Sequence, residues 1–525
     1  MSEIAEALKH SAKLIKLCGK SRLSNGLTLS EMLTVNGIPF WDSFTVELAR
    51  LHVPAALSPN ASPPNIIHRI RPYLSQVKQK VKGFFSYQKN QEGCSIWPSE
   101  PVFLILGFGE YFYKDVLQPV VALLVEHQNC HIVVLNDTSW PNMGQFVNQN
   151  VTFQTIWQHW DAQVGQQASE LKQALCRIEN ELLELNILSQ IMGNPDNRRL
   201  KNFKNIFNWF FRVYLPLFVP KAVVAQHILE THHPNIVISP DVADPRTRIY
   251  SLLGRKVGIP CIEVQFGLIL DEGIEWQFLE ADRVAVWGDT SKEIMLTHHS
   301  VPAEQIVVTG SPRYDCQFSL PKKEVYKKCA QLGVHDENII LLASAYDMKD
   351  YKGYYTPNIL QLLKRDIFKA ADKTPGICLV VKPHPLEDVR ETRKLAGACK
   401  NIIFVDQNSD IQDWINICDV FMSFGSTATI DALIAGKLTI CPVYPGFVSN
   451  YLFRDSGATL APESLEEIIN IFKKVAKGSH DNALKRLDPA RLDFLKQRVG
   501  LIDGKASARI EALALNMAGI GCEYE

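Results

Sequence analysis

Short apolar runs that end in Gly, Asp or Asn alternate with helical segments from residue 102 onward. A first series of such runs occupies residues 102–112, 131–137, 235–241 and 261–267. A second series occupies residues 283–289, 305–312, 339–345, 377–385, 401–406, 420–426 and 438–444. Runs that are apolar throughout predict strands buried on both faces, and their alternation with helices predicts parallel sheets. We therefore expect an α/β protein with two successive doubly wound units, whose ligands bind beyond the carboxyl ends of the strands.

Helical patterns flank and interrupt these strands. Residues 30–51 have helical spacing after a turn at Asn36-Gly37, and residues 164–188 carry apolar positions three and four apart. Residues 489–518 again have a helical pattern. The sequence thus predicts a helical extension at the amino terminus, a helical insertion and terminal helices.

These patterns divide the chain into four predicted regions. The regions are a helical extension (1–98), a first α/β domain (99–280) with an insertion at 145–230, a second α/β domain (281–475) and carboxyl-terminal helices (476–525).

Composition narrows the class of protein. The 525 residues exceed what one hydrophobic core supports, and 46% are apolar and 21% charged, as in ordinary globular proteins. The net charge of −1 gives no indication of a nucleic-acid partner. The chain contains no uninterrupted apolar stretch of about 18 residues and begins without an apolar signal core, so we expect a cytoplasmic protein. The twelve cysteines form no CxxC pair, which favours reduced thiols over a disulfide framework or a zinc site.

The sequence VVKPHP (380–385) places a histidine between two prolines at the end of a predicted strand. Pro383 and Pro385 restrict the backbone on both sides, so His384 is held in one geometry. A preset imidazole can donate to a phosphate oxygen with little loss of entropy. The alternative is a surface loop with incidental prolines, and the motif alone does not decide between the two.

A second motif, SFGSTATIDALIAGK (423–437), predicts a strand, a glycine turn and a helix. Gly425 allows close approach of the backbone, and Ser426 and Thr427 add hydroxyl donors at a helix amino terminus, where an anion is stabilised. Asp431 lies one turn into the helix, where it accepts from a ribose hydroxyl or complements the helix dipole. The alternative is an ordinary Ser/Thr cap.

Further candidate ligands follow the strand in VVTGSPRYD (307–315). Ser311 and Arg313 lie just past this strand, where a guanidinium can pair with a phosphate or a sugar carboxylate. The alternative for Arg313 is a salt bridge to the neighbouring Asp315.

Carboxylates lie beside glycines at two other predicted strand ends. Glu110 occurs in LGFGEYFYKD, and Asp271 and Glu272 occur in VQFGLILDEGIEW. A carboxylate in this position can take a proton from a reacting hydroxyl. Surface loops are also rich in acidic residues, so solvated side chains are the alternative for each.

Together, KPHP, GSPRYD and SFGSTATIDAL resemble the nucleotide-binding half of a GT-B glycosyltransferase, which consists of two Rossmann-like domains. The order of motifs is similar to that in bacterial transferases of capsule, lipopolysaccharide and other surface polysaccharides that use CMP-activated acidic sugars, such as Kdo transferases and bacterial sialyltransferases. The same half is similar to polyol-phosphate transferases of teichoic acid synthesis, which use CDP-linked donors. The resemblance covers about residues 235–450.

The resemblance implies roles for the two turn motifs. His384 and Pro385 would contact the cytidine nucleotide, and Ser426 and Thr427 would hold its phosphate. Lys382 would help to stabilise the leaving phosphate, as would Arg313. With these donors in place, no metal or other cofactor is expected beyond the nucleotide-linked co-substrate.

The general base stays open at this point. Bacterial sialyltransferases use an acidic pair followed by glycine, which Asp271-Glu272-Gly273 matches in letters, a few residues later after its strand than expected. Kdo-type and polyol-type enzymes carry a Gln-His-Gly or similar motif at this strand end, whereas Phe266 stands here in place of the histidine. The base is therefore Asp271, Glu272 or Glu110.

These features predict an inverting glycosyltransferase that moves a CMP-activated sugar of the sialic acid or Kdo type onto a surface glycan or glycolipid. One alternative is a CDP-polyol phosphotransferase. Another is an enzyme similar to UDP-N-acetylglucosamine 2-epimerase, although the Gly-Gly run and acidic pair expected after the VFMS strand are missing. A third is a non-catalytic scaffold on the same fold, which Phe266 favours.

The segment RRLKNFKNIFNWFFRVYLPLFVPK (198–221) combines basic and aromatic residues, and Pro216 and Pro220 interrupt it. Such a segment can lie on an anionic membrane, where lipid-linked acceptors reside. This predicts peripheral contact with the inner face of the cytoplasmic membrane. The alternative is a helix buried within the protein.

Overall fold

The computed structural model describes residues 3–57, 101–109, 112–127, 130–137, 150–184, 204–271, 273–315, 338–346, 358–445 and 451–520. The chain divides into two compact units, which we call unit 1 (Met1–Asp315 with Leu501–Glu525) and unit 2 (Cys316–Gly500).

The described strands are β1 (Thr34–Val35), β2 (Ile38–Pro39), β3 (Val102–Leu106), β4 (His131–Asn136), β5 (Val151–Thr155), β6 (Ile236–Ser239), β7 (Cys261–Val264), β8 (Arg283–Val286), β9 (Ile306–Val308), β10 (Asn338–Ala343), β11 (Ile377–Lys382), β12 (Ile402–Phe404), β13 (Val420–Ser423) and β14 (Leu438–Ile440).

The described α-helices are α1 (Glu3–Lys20), α2 (Leu29–Met32), α3 (Phe40–Leu57), α4 (Gln118–Leu124), α5 (Ala162–Glu184), α6 (Leu215–His232), α7 (Pro245–Val257), α8 (Asp289–His298), α9 (Ile359–Asp372), α10 (Val389–Ala396), α11 (Ile411–Ile417), α12 (Ala428–Ile434), α13 (Tyr451–Ser456), α14 (Leu465–Ala476), α15 (His480–Arg498) and α16 (Ala506–Met517). Two π-helical turns, Tyr113–Leu117 and Phe210–Tyr214, lead into α4 and α6.

Each unit is built on one parallel sheet. The seven-stranded parallel sheet of unit 1 has the order β5-β4-β3-β6-β7-β8-β9, and the five-stranded sheet of unit 2 has the order β12-β11-β10-β13-β14. In each sheet, three consecutive strands are added from the centre toward one edge. The chain then returns to the centre, and the following strands are added toward the opposite edge. The order therefore reverses between β3 and β6 in unit 1 and between β10 and β13 in unit 2, which are the positions where doubly wound sheets bind ligands. The predicted α/β fold class is confirmed.

The unbroken apolar runs arise because both faces of each sheet are covered. In β10, Ile340 and Leu342 pack with α9 and α14, whereas Leu341 faces the other way and packs with Trp414 of α11. Successive side chains of a strand point to opposite faces, so a strand covered on both sides needs an apolar residue at every position. Burying a side chain of this size stabilises the fold by about 1.5–3 kcal/mol.

The amino-terminal extension contributes α1, α2 and α3 to unit 1, and its residues 58–98 lie outside the described ranges. The expected turn at Asn36-Gly37 forms a hairpin between β1 and β2, with φ of 50° and 81° at its two residues. The buried guanidinium of Arg248 links α7 to α3. It donates to the Asp42 carbonyl oxygen at 2.9 Å and to Thr45 Oγ1 at 3.1 Å.

The aromatic segment predicted to contact a membrane is packed inside unit 1 over its described part, 204–221. Phe207, Phe210 and Phe211 are buried. The Phe44 ring of α3 lies 5.3 Å from that of Phe210, measured between centroids. The aromatic face is therefore covered by α3, as in the buried-helix alternative. Among the described residues, no helix has the length and apolar character to cross a membrane.

The predicted domain boundary differs from the division in the structure. The sequence places β8 and β9 after residue 280, in the second domain. In the structure β8 pairs in parallel with β7, and β9 pairs in parallel with β8, so both extend the sheet of unit 1. The terminal helices also divide, because α15 belongs to unit 2 and α16 to unit 1. Buried parallel strands have the same local pattern whichever sheet they join, so the pattern alone does not assign them.

Candidate functional site

The two predicted turn motifs leave the sheet of unit 2 at the same edge. Ala343, the last residue of β10, pairs with Lys382 of β11 on one side and with Ser423 of β13 on the other. Neighbouring strands lie about 4.8 Å apart, so the two strand ends are separated by about 10 Å. We call the segment after β11 (383–388) the HP turn and the segment after β13 (424–427) the hydroxyl turn.

The HP turn is closed by hydrogen bonds on two sides. His384 N donates to Glu387 Oε2 at 3.0 Å, and Glu387 N donates to the His384 carbonyl oxygen at 2.9 Å. Gln407, which follows β12, donates through Nε2 to the carbonyl oxygens of His384 at 2.8 Å and Pro385 at 2.6 Å. These bonds, together with the two prolines, fix the backbone that carries the imidazole.

The His384 ring is held as a neutral donor. Leu386 N donates to Nδ1 at 3.1 Å, which assigns the proton of the neutral ring to Nε2. Burial lowers the pKa of His384 below its ordinary value, and the negative charge of Glu387 opposes this only in part. At neutral pH the ring therefore has an Nε2–H group to donate. The ring of Tyr346, just after β10, lies 4.6 Å away at an interplanar angle of 33°.

The hydroxyl turn depends on a glycine in the left-handed region. Gly425 has φ of 80°, and its N–H donates to Ser423 Oγ at 3.2 Å. Ser426 is exposed and Thr427 half-buried. Thr427 is the N-cap of α12, but its side chain makes no capping hydrogen bond. Because α12 has only seven residues, the turn offers an anion its local N–H and hydroxyl groups rather than a long helix dipole.

Lys382 and Asp431 lie in unit 2 but are engaged inside it. Lys382 Nζ donates to the carbonyl oxygens of Gln407 at 2.8 Å and Pro383 at 3.2 Å, and burial lowers its pKa. Asp431 is fully buried within α12. Neither side chain is presented to solvent at the edge, whereas Pro385 is exposed.

Ser311 and Arg313 belong to unit 1, so the structure does not bring them together with the HP turn in one compact unit. Both are buried, and Arg313 forms an ion pair with Asp115. The expected alternative partner, Asp315, instead accepts from backbone N–H groups at the start of α16, at 3.0 and 2.6 Å. The partner of Arg313 is thus a carboxylate 198 residues away in the chain.

Of the three candidate bases, Asp271 is exposed and lies 3.8 Å from His298 Nε2. Glu110 and Glu272 lie outside the described residues. Phe266, where the resemblance implied a histidine, packs edge-on against Phe112 with centroids 4.3 Å apart and joins the core of unit 1.

Sequence reasoning missed a further carboxyl group at the end of β6. Burial, followed by the charge of Asp244, raises the pKa of Asp241 to about 6. A carboxyl group with such a pKa at the reversal point of a sheet is a candidate base. The signal in the sequence is the acidic residue that ends the run NIVISPD (235–241). Unlike the other candidate carboxylates, Asp241 has no neighbouring glycine.

The rest of the unit 1 edge is a compact ion network. Asp137, after β4, accepts from Arg246 at 2.6 Å and from Lys221 at 3.1 Å. Arg246 also pairs with Asp244 at 2.5 Å, and its guanidinium lies 5.3 Å from the centre of the Phe108 ring. Burial alone would raise the pKa of Asp137, but Lys221 and Arg246 hold it below its ordinary value.

Part of the chain matches a known protein family. A family model described as CDP-glycerol:poly(glycerophosphate) glycerophosphotransferase matches residues 275–437, a range that contains the HP turn and the hydroxyl turn. Comparison with curated proteins gives no match.

Several solved structures are similar to the chain. The MnaA–UDP complex from S. aureus matches at 14% identity and a TM-score of 0.52, over 81% of this chain and 99% of that one. A putative UDP-N-acetylglucosamine 2-epimerase from Listeria monocytogenes matches at 13% identity and 0.52, over 81% and 99%. A further UDP-N-acetylglucosamine 2-epimerase matches at 15% and 0.50, over 82% and 99%. At such identities the similarity establishes the GT-B fold class, and over residues 275–437 the chain is similar to glycerophosphotransferases.

Proposed function

We propose that this protein is a transferase that moves a group from a cytidine-nucleotide donor to an acceptor hydroxyl and releases CMP. The observation that carries this proposal is the neutral His384, whose Nε2–H group lies at the same sheet edge as the hydroxyl turn. An edge with preset hydrogen-bond donors and a glycine turn suits a phosphate group.

The first candidate reaction is transfer of a polyol phosphate from a CDP-polyol. The match of the glycerophosphotransferase model across both turns supports it. The acceptor oxygen attacks the phosphorus that bears the polyol, a new P–O bond forms, and the P–O bond to the CMP moiety breaks. The acceptor proton passes to a base, and the electron pair of the broken bond leaves with CMP.

The two turns act on the leaving group in this scheme. The His384 Nε2–H and the hydroxyls of Ser426 and Thr427 donate to the oxygens on which negative charge develops as CMP departs. These donors are held in place before reaction, so they stabilise the transition state without reorganising, and one such donor typically contributes about 10²–10³-fold in rate. No metal is part of the proposal, so CMP release should continue in excess EDTA, and its loss there would contradict this feature.

A second candidate is transfer of a CMP-activated sugar of the sialic acid or Kdo type to a glycan or lipid-linked acceptor. Phe266 stands where both Kdo-type and polyol-type enzymes carry a histidine, so within this candidate it favours the sialic acid type. In this reaction the acceptor oxygen attacks the anomeric carbon with inversion, and the bond from that carbon to the CMP oxygen breaks. Both candidates therefore release CMP, whereas a 2-epimerase acting on a UDP-sugar does not.

The base that takes the acceptor proton is proposed among carboxyl groups of unit 1. Asp241 is the stronger of the two described candidates, because burial raises its pKa to about 6, close to the pH at which a general base works best. Asp271 is the exposed alternative. Contact with a membrane through residues 198–221 is not part of the proposal, because Phe207 and Phe210 are buried.

A nucleotide screen tests the proposal. We expect CMP and CDP to raise the melting temperature more than UMP and UDP do at equal concentration. Incubation with CDP-glycerol and with CMP-sialic acid, each with hydroxyl acceptors, then identifies the candidate by which donor yields CMP. Stabilisation by uridine nucleotides alone, or CMP release from neither donor, would contradict the proposal.

A further inference from the structure

The buried carboxylate of Glu387 binds four donors from different parts of unit 2. Its Oε1 accepts from Ser344 Oγ at 2.8 Å, Lys364 Nζ at 2.5 Å and Thr392 Oγ1 at 2.5 Å. Its Oε2 accepts from His384 N at 3.0 Å. The side chain of Glu387 is 3% exposed and that of Lys364 is 7% exposed. A carboxylate this deeply buried is retained at a large desolvation cost, which hydrogen bonds and an ion pair must offset.

These donors join the elements around the reversal point of the sheet. Ser344 follows β10, Thr392 lies in α10, and Lys364 lies in α9. Lys364 Nζ also donates to the carbonyl oxygen of Ala345, next to Tyr346. The buried Glu387–Lys364 pair thus links the segment after β10 to the HP turn after β11.

We propose that Glu387 is the positioning residue of the nucleotide site, fixing the HP turn against the end of β10 so that His384 presents Nε2–H to the nucleotide phosphate. Glu387 itself does not touch the nucleotide; it acts through the backbone N–H of His384 and through its charge. The inference rests on the proposed function for the identity of the ligand, but the geometry of the HP turn can be measured without any ligand.

The electrostatic part follows from the groups that face the imidazole. Burial is the largest influence on the pKa of His384 and lowers it; Glu387 raises it, and Lys382 and Lys364 lower it. Neutralising Glu387 leaves the two lysines unopposed, so the pKa of His384 should fall further. A residue that contributed only to stability at a distance would not shift this pKa.

The test compares Glu387→Gln with Glu391→Gln. Glu391 lies on the exposed face of α10, so the control removes the same charge from the same neighbourhood without touching the HP turn. Histidine labelled with ¹⁵N reports the pKa and tautomer of His384 by NMR in the ligand-free protein, and calorimetry reports the Kd of CMP. We expect E387Q to lower the pKa of His384 and to weaken CMP binding about tenfold, the effect of losing one charge-assisted contact. E391Q should change neither.

Because E387Q leaves Lys364 buried without its carboxylate, Thr392→Val provides a second variant that keeps the ion pair. It removes one hydrogen bond to Oε1 and should shift CMP binding and the His384 signal in the same direction by a smaller factor. A folded E387Q or T392V with the wild-type His384 pKa and the wild-type Kd would overturn the inference. If wild-type protein binds no CMP, the proposed function fails, and the NMR comparison alone then decides whether Glu387 positions His384.

Discussion

The two sheets share a strand order around their reversal points, but their carboxyl edges differ in chemistry. In unit 1, Asp137 forms ion pairs with both Lys221 and Arg246. In unit 2, the charged pair Glu387–Lys364 is buried behind the edge, and a neutral imidazole lies in front of it. The same fold therefore carries a charge-paired edge in one unit and a donor edge in the other. The residues that follow the strands identify the candidate site, because the fold alone does not specify where a ligand binds.

The difference has an energetic meaning. At the unit 1 edge, opposite charges satisfy each other, so removing one should mainly affect folding. At the unit 2 edge, the hydrogen bonds of Glu387 and Gln407 hold a group that contributes little to folding itself, so removing that group should mainly affect binding. Four predictions test this contrast, beginning with the largest effect.

The largest effect is expected from His384→Ala. CMP release should fall about 100-fold or more, because a preorganised donor to the leaving phosphate is lost, while the melting temperature changes little for a half-buried ring. His480→Ala is a matched control in the same unit, because His480 lies near the opposite end of β11 from His384. It begins α15, four residues after Ala476, and Ala476 packs beside Gly376, which precedes β11. A large loss of stability in H384A with unchanged turnover would reverse the assignment.

Asp137→Asn should show the opposite behaviour. Loss of the charge leaves Lys221 and Arg246 less well paired, so the free energy of unfolding should fall by about 2–3 kcal/mol in urea denaturation. The Kd of CMP should stay at its wild-type value. Asp481→Asn, at an exposed carboxylate of unit 2, serves as the control for the charge change. Weakened CMP binding without loss of stability would mean that the unit 1 edge also holds the nucleotide.

The histidines of unit 1 should make its stability depend on pH. Burial, with a contribution from His232, lowers the pKa of His159 to about 3, and burial lowers that of His232 to about 4. As the pH falls below about 6.5, these two imidazoles take up protons in the unfolded chain before they do so in the folded protein. Stability is therefore fully present above that pH and declines toward pH 4. His159→Gln should remove about 2 kcal/mol of the decline between pH 7 and 5. An equal decline in H159Q would show that another group titrates.

The smallest effect is expected from Ser464→Ala. Ser464 caps α14 by accepting from Glu467 N at 3.3 Å, so its loss should cost about 1 kcal/mol of stability in unit 2. CMP release at a temperature well below unfolding should not change. A parallel fall in release would indicate that the stability of unit 2, rather than the geometry of the HP turn, limits activity.

Local sequence predicted the strands more fully than their grouping. Each apolar run contains a strand, whereas β5 was missed because Thr152 and Gln154 interrupt its pattern. β5 is an edge strand with a neighbour on one side only, which reduces the need for unbroken apolar sequence. β8 and β9 were recognised as strands but assigned to the other sheet, because strand pairing depends on contacts that are distant in the chain.

The candidate site shows the same limit. The shared edge of His384 and Gly425 follows from strand ends and was predicted. The pairing of Arg313 with Asp115 was not, because only the fold brings the two together. Glu387 stands in KPHPLED, where an acidic residue reads as solvent-exposed; its burial depends on Lys364, which arrives from a separate helix.

The central claim is that the HP turn and the hydroxyl turn bind one nucleotide. Titration of CMP into protein labelled with ¹⁵N-histidine and ¹⁵N-threonine tests it directly, with His384 Nε2 and the Thr427 amide as reporters. Both signals should shift along curves that give one Kd. A shift of one signal without the other, or two different dissociation constants, would contradict the claim.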